Sequence, residues 1–202
     1  MQYTRLSRDY KMLGLANRAT GECSYGAPYV FLSVAFHVDW ILSQEGAGQE
    51  ISDSEERVAT CKSIYKEKPL VGAGKDADAG DYPFAVSIRL TKSTRKHRCQ
   101  GVLVSPNHVL TVASCIPAKA YNASGIITAY IGGLHTDPKL DSDVNEGNKK
   151  ELIKAAEIIS HPKYGAKKNG VNLAIVVLKK KSKKPPVQLP VQGIEIPSRV
   201  LI

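Results

Sequence analysis

Serine and histidine chemistry is the first question this sequence raises. In "VLTVASC", Val109 to Cys115, a β-forming run leads through a small residue to Ser114 and then Cys115. A serine hydroxyl becomes a nucleophile only when an imidazole takes its proton and a buried carboxylate orients that imidazole. Five histidines are candidate bases: His37, His97, His108, His135 and His161. None follows the small residue of the Ser114 turn. The four cysteines, Cys23, Cys61, Cys99 and Cys115, contain no CxxC, and no HxxxH occurs, so no spacing suggests zinc. Asp137, Asp141, Asp143 and Glu146 read as a solvated acidic loop, with oxygen ligands that could take calcium as the alternative. No metal and no cofactor is expected.

Two basic runs carry the other chemistry. "TKSTRKHR", Thr91 to Arg98, holds Arg95, Lys96 and Arg98, and "KKKSKK" holds Lys179, Lys180, Lys181, Lys183 and Lys184. Such density attracts polyanions through its field and counterion release. Aromatics are too scattered to stack bases, which argues against nucleic acid and for a sulfated glycan or anionic surface. A solvated loop that aids solubility is the plainer reading.

These residues sit in a chain with two electrostatic halves. Residues 1–68 carry a net charge of −1 and residues 69–202 a net +10, within a total of +9 over 202 residues. No run approaches about 20 apolar residues, so no membrane span is expected. The opening "MQYTRLSRDYKML" lacks the apolar centre of a signal peptide. Residues 24–44 read as a β-rich piece, "YVFLSV", followed by a short amphipathic helix with Phe36, Trp40 and Ile41 at helical spacing. Residues 45–69 are polar and read as a linker. Beyond Leu70 come "FAVSIRL", "GVLVS", "HVLTVA", "IITAYIGG", "ELIKAAEIIS" and "LAIVVLKK", six short β-branched runs separated by turn residues. That spacing predicts a small β-barrel, with "ELIKAAEIIS" as a strand although it also suits a helix.

Three ordered motifs resemble the trypsin/chymotrypsin-like serine protease family. "LVGAGKDADAGDYPFAVSI" resembles the start of the protease domain. "HRCQGVLVSPNHVLTVASC" resembles the hairpin that ends in an AAHC turn, and "IISHPKYGAKKNGVNLAIVVLKK" the segment with an NDIALL-type motif. The resemblance runs from Leu70 nearly to Ile202 and implies an all-β fold, a trypsin-like six-stranded antiparallel β-barrel, the first of the family's two. "YKMLGLANRATGECSYGAPYVFLSVAFHVDWI" resembles the opposite end of the family domain, the end of its second barrel and the closing helix. The implied layout is 1–44 as a C-terminal-end remnant, 45–69 as a linker and 70–202 as an N-terminal barrel. A slice of a tandem array, a misassembled gene and a permuted fragment would each give that order.

The resemblance places Ser114 at the histidine position and Asn172 at the aspartate position, and no GDSGGP string occurs. A hydroxyl is no base near neutral pH, and an amide cannot stabilise an imidazolium. Asparagine for aspartate in such a triad alone costs about 10⁴ in turnover. The activation bond maps to Pro69–Leu70, preceded by proline, and the calcium-loop acids map to Gly133 and Lys149. Cys99 and Cys115 match the family's disulfide across the hairpin. Cys23 matches a family cysteine whose partner has no counterpart here, Cys61 lies where some members tether an activation peptide, and Cys23–Cys61 pairing stays open. A disulfide-bearing family implies secretion, and "NAS" at Asn122 fits N-glycosylation there. The implied function is a non-catalytic homologue of a serine endopeptidase that binds a protein or an anionic glycan. The alternative is part of a larger, tandem endopeptidase whose complete triad lies elsewhere. A lone barrel would expose apolar surface, favouring self-association unless Phe36, Trp40 and Ile41 dock on it.

Overall fold

β-Branched side chains crowd the preceding turn of a helix but pack well on a pleated sheet. The computed structural model follows that preference, and it describes residues 2–6, 9–18, 30–44, 77–78, 80–93, 96–121, 125–135, 150–165 and 170–190. Strands β1 Gln2–Leu6, β2 Asp9–Arg18 and β3 Val30–Ser33 form an antiparallel sheet in the order β1-β2-β3. A 3₁₀ turn, Ala35–His37, leads into helix α1, Val38–Ser43. The six runs beyond Leu70 become β4 Ala85–Leu90, β5 Cys99–Ser105, β6 His108–Thr111, β7 Ile127–Ile131, β8 Glu151–Ser160 and β9 Ala174–Leu178. A one-turn helix α2, Ala118–Tyr121, precedes β7. The six strands close into an antiparallel barrel in the order β4-β5-β6-β9-β8-β7, as the strand spacing predicted. "ELIKAAEIIS" is a strand because both its edges are paired, to β7 and to β9.

Strand register sorts the side chains into two layers. Val86, Ile88, Leu103, Val109, Ala129, Ile131 and Val176 share the face that fills the barrel, and all are at most 3% exposed. Gly101 sits on this face because a Cβ there would lie 2.7 Å from Val109 Cγ1 and 3.3 Å from Ile88 Cδ1. The opposite face of β5, β6 and β9 is also apolar, and Val102, Leu110 and Ile175 are fully buried on it. That face is covered from two directions. The chain after β9 returns along it, with the Val187 N–H donating to the Leu103 carbonyl at 2.9 Å. Met12 and Leu15 of β2, Val34 and Ile41 join the same core cluster, and the Met12 N–H donates to the Gln188 carbonyl at 3.0 Å.

The N-terminal piece therefore docks on the barrel, with two departures from expectation. It brings a three-stranded sheet where the sequence marked only one β-rich stretch. Phe36, expected to dock, lies in the 3₁₀ turn ahead of the helix and is 79% exposed. The three-residue turn breaks the helical period, so Phe36 leaves the face that Ile41 and half-buried Trp40 present. The Trp40 indole instead meets the His161 ring at 4.8 Å between centroids, and His37 meets the same ring edge-on at 5.4 Å.

This contact titrates. Burial, then the Lys163 ammonium, holds the His37 imidazole below its usual pKa; burial, His37 and Lys163 do the same for His161. The Lys163 N–H donates to His161 Nδ1 at 3.1 Å, which requires that nitrogen to be unprotonated. Both shifts are downward, so the unfolded chain takes up protons first as pH falls below about 6.5. The stability carried by these neutral rings is full above that pH and declines below it. Between pH 7.5 and 5.5 the unfolding midpoint should fall, with Trp40 emission shifting to the red. The double variant His37→Asn, His161→Asn should flatten this pH dependence, and a native-like slope in that variant would show that other groups carry it.

Candidate functional site

The Ser114 turn is built by its neighbours rather than by its own residues. β6 ends at Thr111, and Ala113–Cys115 forms a 3₁₀ turn with exposed Ser114 at its centre. The disulfide Cys99–Cys115, with Cα atoms 5.9 Å apart, ties the turn to the start of β5, as the resemblance implied. Arg98 Nε donates to the Cys115 carbonyl at 2.7 Å, and the Tyr121 hydroxyl on α2 donates to the Ala113 carbonyl at 3.0 Å. Burial, then Tyr164, pushes the Tyr121 pKa up to about 12, so that hydroxyl stays a donor throughout the physiological range.

Asn172 comes from a different part of the chain. It precedes β9 in a segment fixed by the Val171 N–H to the Lys163 carbonyl, 3.2 Å, and the His161 N–H to the Leu173 carbonyl, 2.8 Å. The structure brings Ser114 and Asn172 together, 58 residues apart in sequence. The Ser114 N–H donates to Asn172 Oδ1 at 2.8 Å, and Asn172 Nδ2 donates to Ser114 Oγ at 3.0 Å. The pair is a neutral two-point clamp. It uses one of the serine oxygen's two lone pairs on an amide and offers no group that titrates near pH 7.

The histidines are distributed elsewhere. His108 is buried, with Nδ1 2.8 Å from Ser105 Oγ. His37 and His161 serve the α1 contact. His97 and His135 line a pocket of about 440 Å³ between β4, β7 and the residues Ala77, Asp78, Gly80 and Tyr82, a pocket that the sequence did not single out. In it Ser87 Oγ lies 2.8 Å from His97 Nδ1 and accepts a hydrogen bond from Arg89 Nε at 3.0 Å. Arg89 is fully buried, its guanidinium 4.3 Å above the Tyr130 ring. This Ser–His pair lacks the electrostatics of a catalytic one. Burial and then the Arg89 charge lower the His97 pKa, weakening it as a base, whereas a carboxylate partner would strengthen it. The alternation of Ser87 and Arg89 on the outward face of β4 was the available signal. An arginine there suggested solvent rather than burial beneath a tyrosine.

The remaining predicted residues divide by placement. Lys96, Arg98, Lys179, Lys180, Lys181 and Lys183 are exposed, as a polyanion-binding role needs. Lys184 is not: it is 7% exposed, its stem lying against Gly132, where a Cβ would come within 2.9 Å of Lys184 Cε. Cys23, Cys61, Arg95, Asn122, residues 45–69 and the acidic residues 137–146 lie outside the described residues. Among the described residues no helix is long and apolar enough to cross a membrane, and no three His, Cys, Asp or Glu side chains converge as a metal site.

Comparison with known proteins finds one family along most of the chain. The family model described as Trypsin matches residues 71–200. Glucanase inhibitor protein 3 of Phytophthora sojae (strain P6497) is 32% identical over 138 residues, 67% of this chain and 49% of the relative. Trypsin Blo t 3 of Blomia tropicalis is 28% identical over 141 residues, 70% of this chain and 46% of the relative. Chymotrypsin-C of Bos taurus is 45% identical over 47 residues, 23% of this chain and 18% of the relative. The chain spans about half the length of the first two.

The clamp makes a prediction about stability. Asn172→Ala leaves the Ser114 N–H without its acceptor and should cost about 1 kcal/mol in urea unfolding. Asn172→Asp retains an acceptor for that N–H, and the Ser114 hydroxyl can turn to donate to the carboxylate, so its loss should be smaller. Equal losses in the two variants would mean that the hydrogen bonds do not support the turn.

Proposed function

We propose that this chain, which belongs to the trypsin family, is a non-catalytic member of it whose role is binding. The observation that carries the reading is the Ser114–Asn172 clamp. Proton transfer from a serine nucleophile needs an imidazole and a carboxylate at these two positions. Here a hydroxyl and an amide occupy them and satisfy each other. No GDSGGP string is present to supply the nucleophile. Glucanase inhibitor proteins among the relatives favour a protein partner, since their names describe members of similar sequence that inhibit another protein. The Cys99–Cys115 disulfide favours secretion into an oxidising compartment.

A second reading draws on length. Because the chain spans about half of its relatives, it could be one module of a longer, tandem endopeptidase with its complete triad elsewhere. The two readings agree on this module's own chemistry. Incubated with a serine-directed fluorophosphonate, the chain should show no stoichiometric labelling, and peptide turnover should stay at background. The double variant Ser114→His, Asn172→Asp should not restore turnover, because the sequence holds no GDSGGP segment to supply the nucleophile. Stoichiometric labelling of the purified chain would overturn the non-catalytic reading. A full-length transcript that joins this module to a GDSGGP-bearing one would favour the second.

A further inference from the structure

We infer that the segment Lys179–Lys184, together with Lys154, is a preorganised cation platform for a sulfated glycan, and that Glu151 is the positioning residue that gives it its shape. The inference rests on the binding reading and names a ligand class for it. A run of lysines on a free loop is an ordinary solvated surface. This run is not free, because its backbone is anchored at successive points. The Leu178 N–H donates to the Asn107 carbonyl at 2.7 Å and the Lys179 N–H to the Lys154 carbonyl at 2.9 Å. The Ser182 N–H donates to the Pro106 carbonyl at 2.7 Å.

Glu151, at the start of β8, completes the anchoring. Its carboxylate accepts the Ser182 hydroxyl, and it accepts the Lys183 N–H at 3.1 Å to Oε1 and 3.3 Å to Oε2. Ser182 Oγ in turn accepts the Lys184 N–H at 3.0 Å. The carboxylate thus binds the turn's backbone and serine. Lys184 folds inward against Gly132, while Lys179, Lys180, Lys181 and Lys183 remain exposed. Lys154, whose carbonyl holds the Lys179 N–H, adds a fifth exposed ammonium.

The chemistry that fits five exposed ammonium groups on an anchored backbone is a chain of strong-acid anions. An exposed single pair is worth little, but a polyanion that neutralises several cations at once releases its counterions cooperatively. A backbone already held by hydrogen bonds loses little further entropy when the ligand arrives. No aromatic residue occurs in 150–154 or 178–185, so nothing on this ridge can stack a base. The disulfide points to an oxidising compartment, away from the anionic cytoplasmic leaflet. Both features favour a sulfated glycan over nucleic acid or membrane.

The test is retention of the full chain on immobilised heparin, read as the salt slope and elution point. Replacing Lys179, Lys180, Lys181 and Lys183 with serine should lower the slope of log affinity against log salt by about one for each ammonium removed. Lys92→Ser and Lys119→Ser, exposed lysines elsewhere, should leave it unchanged. The decisive variant is Glu151→Gln, which makes the protein more cationic. A platform that depends on its shape predicts earlier elution, whereas bulk charge predicts later elution. Ser182→Ala removes one clamp without changing charge, and with unchanged Trp40 emission it should also elute early. The proposal fails if Glu151→Gln elutes later while Ser182→Ala is unaffected, or if the control lysines matter equally. Equal or tighter retention on single-stranded DNA or phosphatidylserine vesicles would overturn the glycan assignment. Fluorophosphonate labelling tests the non-catalytic reading separately, so the two failures are distinguishable.

Discussion

The whole molecule depends on closure of one ring. β4 is the first barrel strand and β7 the fourth in sequence, and their pairing, from Val86↔Ile131 to Leu90↔Ile127, joins the two ends of the sheet. Closure removes the edges that an open six-stranded sheet would leave for aggregation. It also requires a tapered interior, and Gly101 leaves room for Val109 and Ile88. Both faces of β7 are consequently buried, which places Arg89 under Tyr130 and joins the Thr91 and Thr128 hydroxyls at 2.8 Å.

The barrel's second demand is cover for its outer apolar face, where Val102, Leu110 and Ile175 would otherwise meet water. The return strap after β9 supplies part of it. The basic segment is the first portion of that strap, so the hydrogen bonds that anchor the chain after β9 also hold the backbone from which the lysines project. The N-terminal sheet and α1 supply the rest, through Met12, Leu15, Val34 and Ile41. Elements that precede the barrel in sequence can serve as its lid, since docking depends on complementary surface rather than on order along the chain.

At the Ser114 turn, contacts from four separate parts of the chain converge on neutral side chains. The disulfide, the Arg98 and Tyr121 hydrogen bonds and the approach of residue 172 are all in place. Serine and asparagine are small, neutral and mutually complementary, so they close the gap with two hydrogen bonds. The position keeps its structural purpose of joining the β6 turn to the start of β9.

The sequence by itself determined the six barrel strands, because a two-residue period of β-branched side chains bounded by turn residues reports local backbone preference directly. It also marked the Cys99–Cys115 link, since that follows from residue identity in ordered motifs. Only the tertiary structure decided which polar groups became buried. Arg89 and Lys184 look like surface cations in the chain, yet their surroundings are set by β7 and by the strap, elements distant in sequence. Phe36 left the docking face because a three-residue 3₁₀ turn altered the period that had aligned it with Trp40. The Glu151 clamp joins residues 31 apart with no pattern to announce it, because a hydrogen bond between distant segments exists only once the barrel has brought their backbones together.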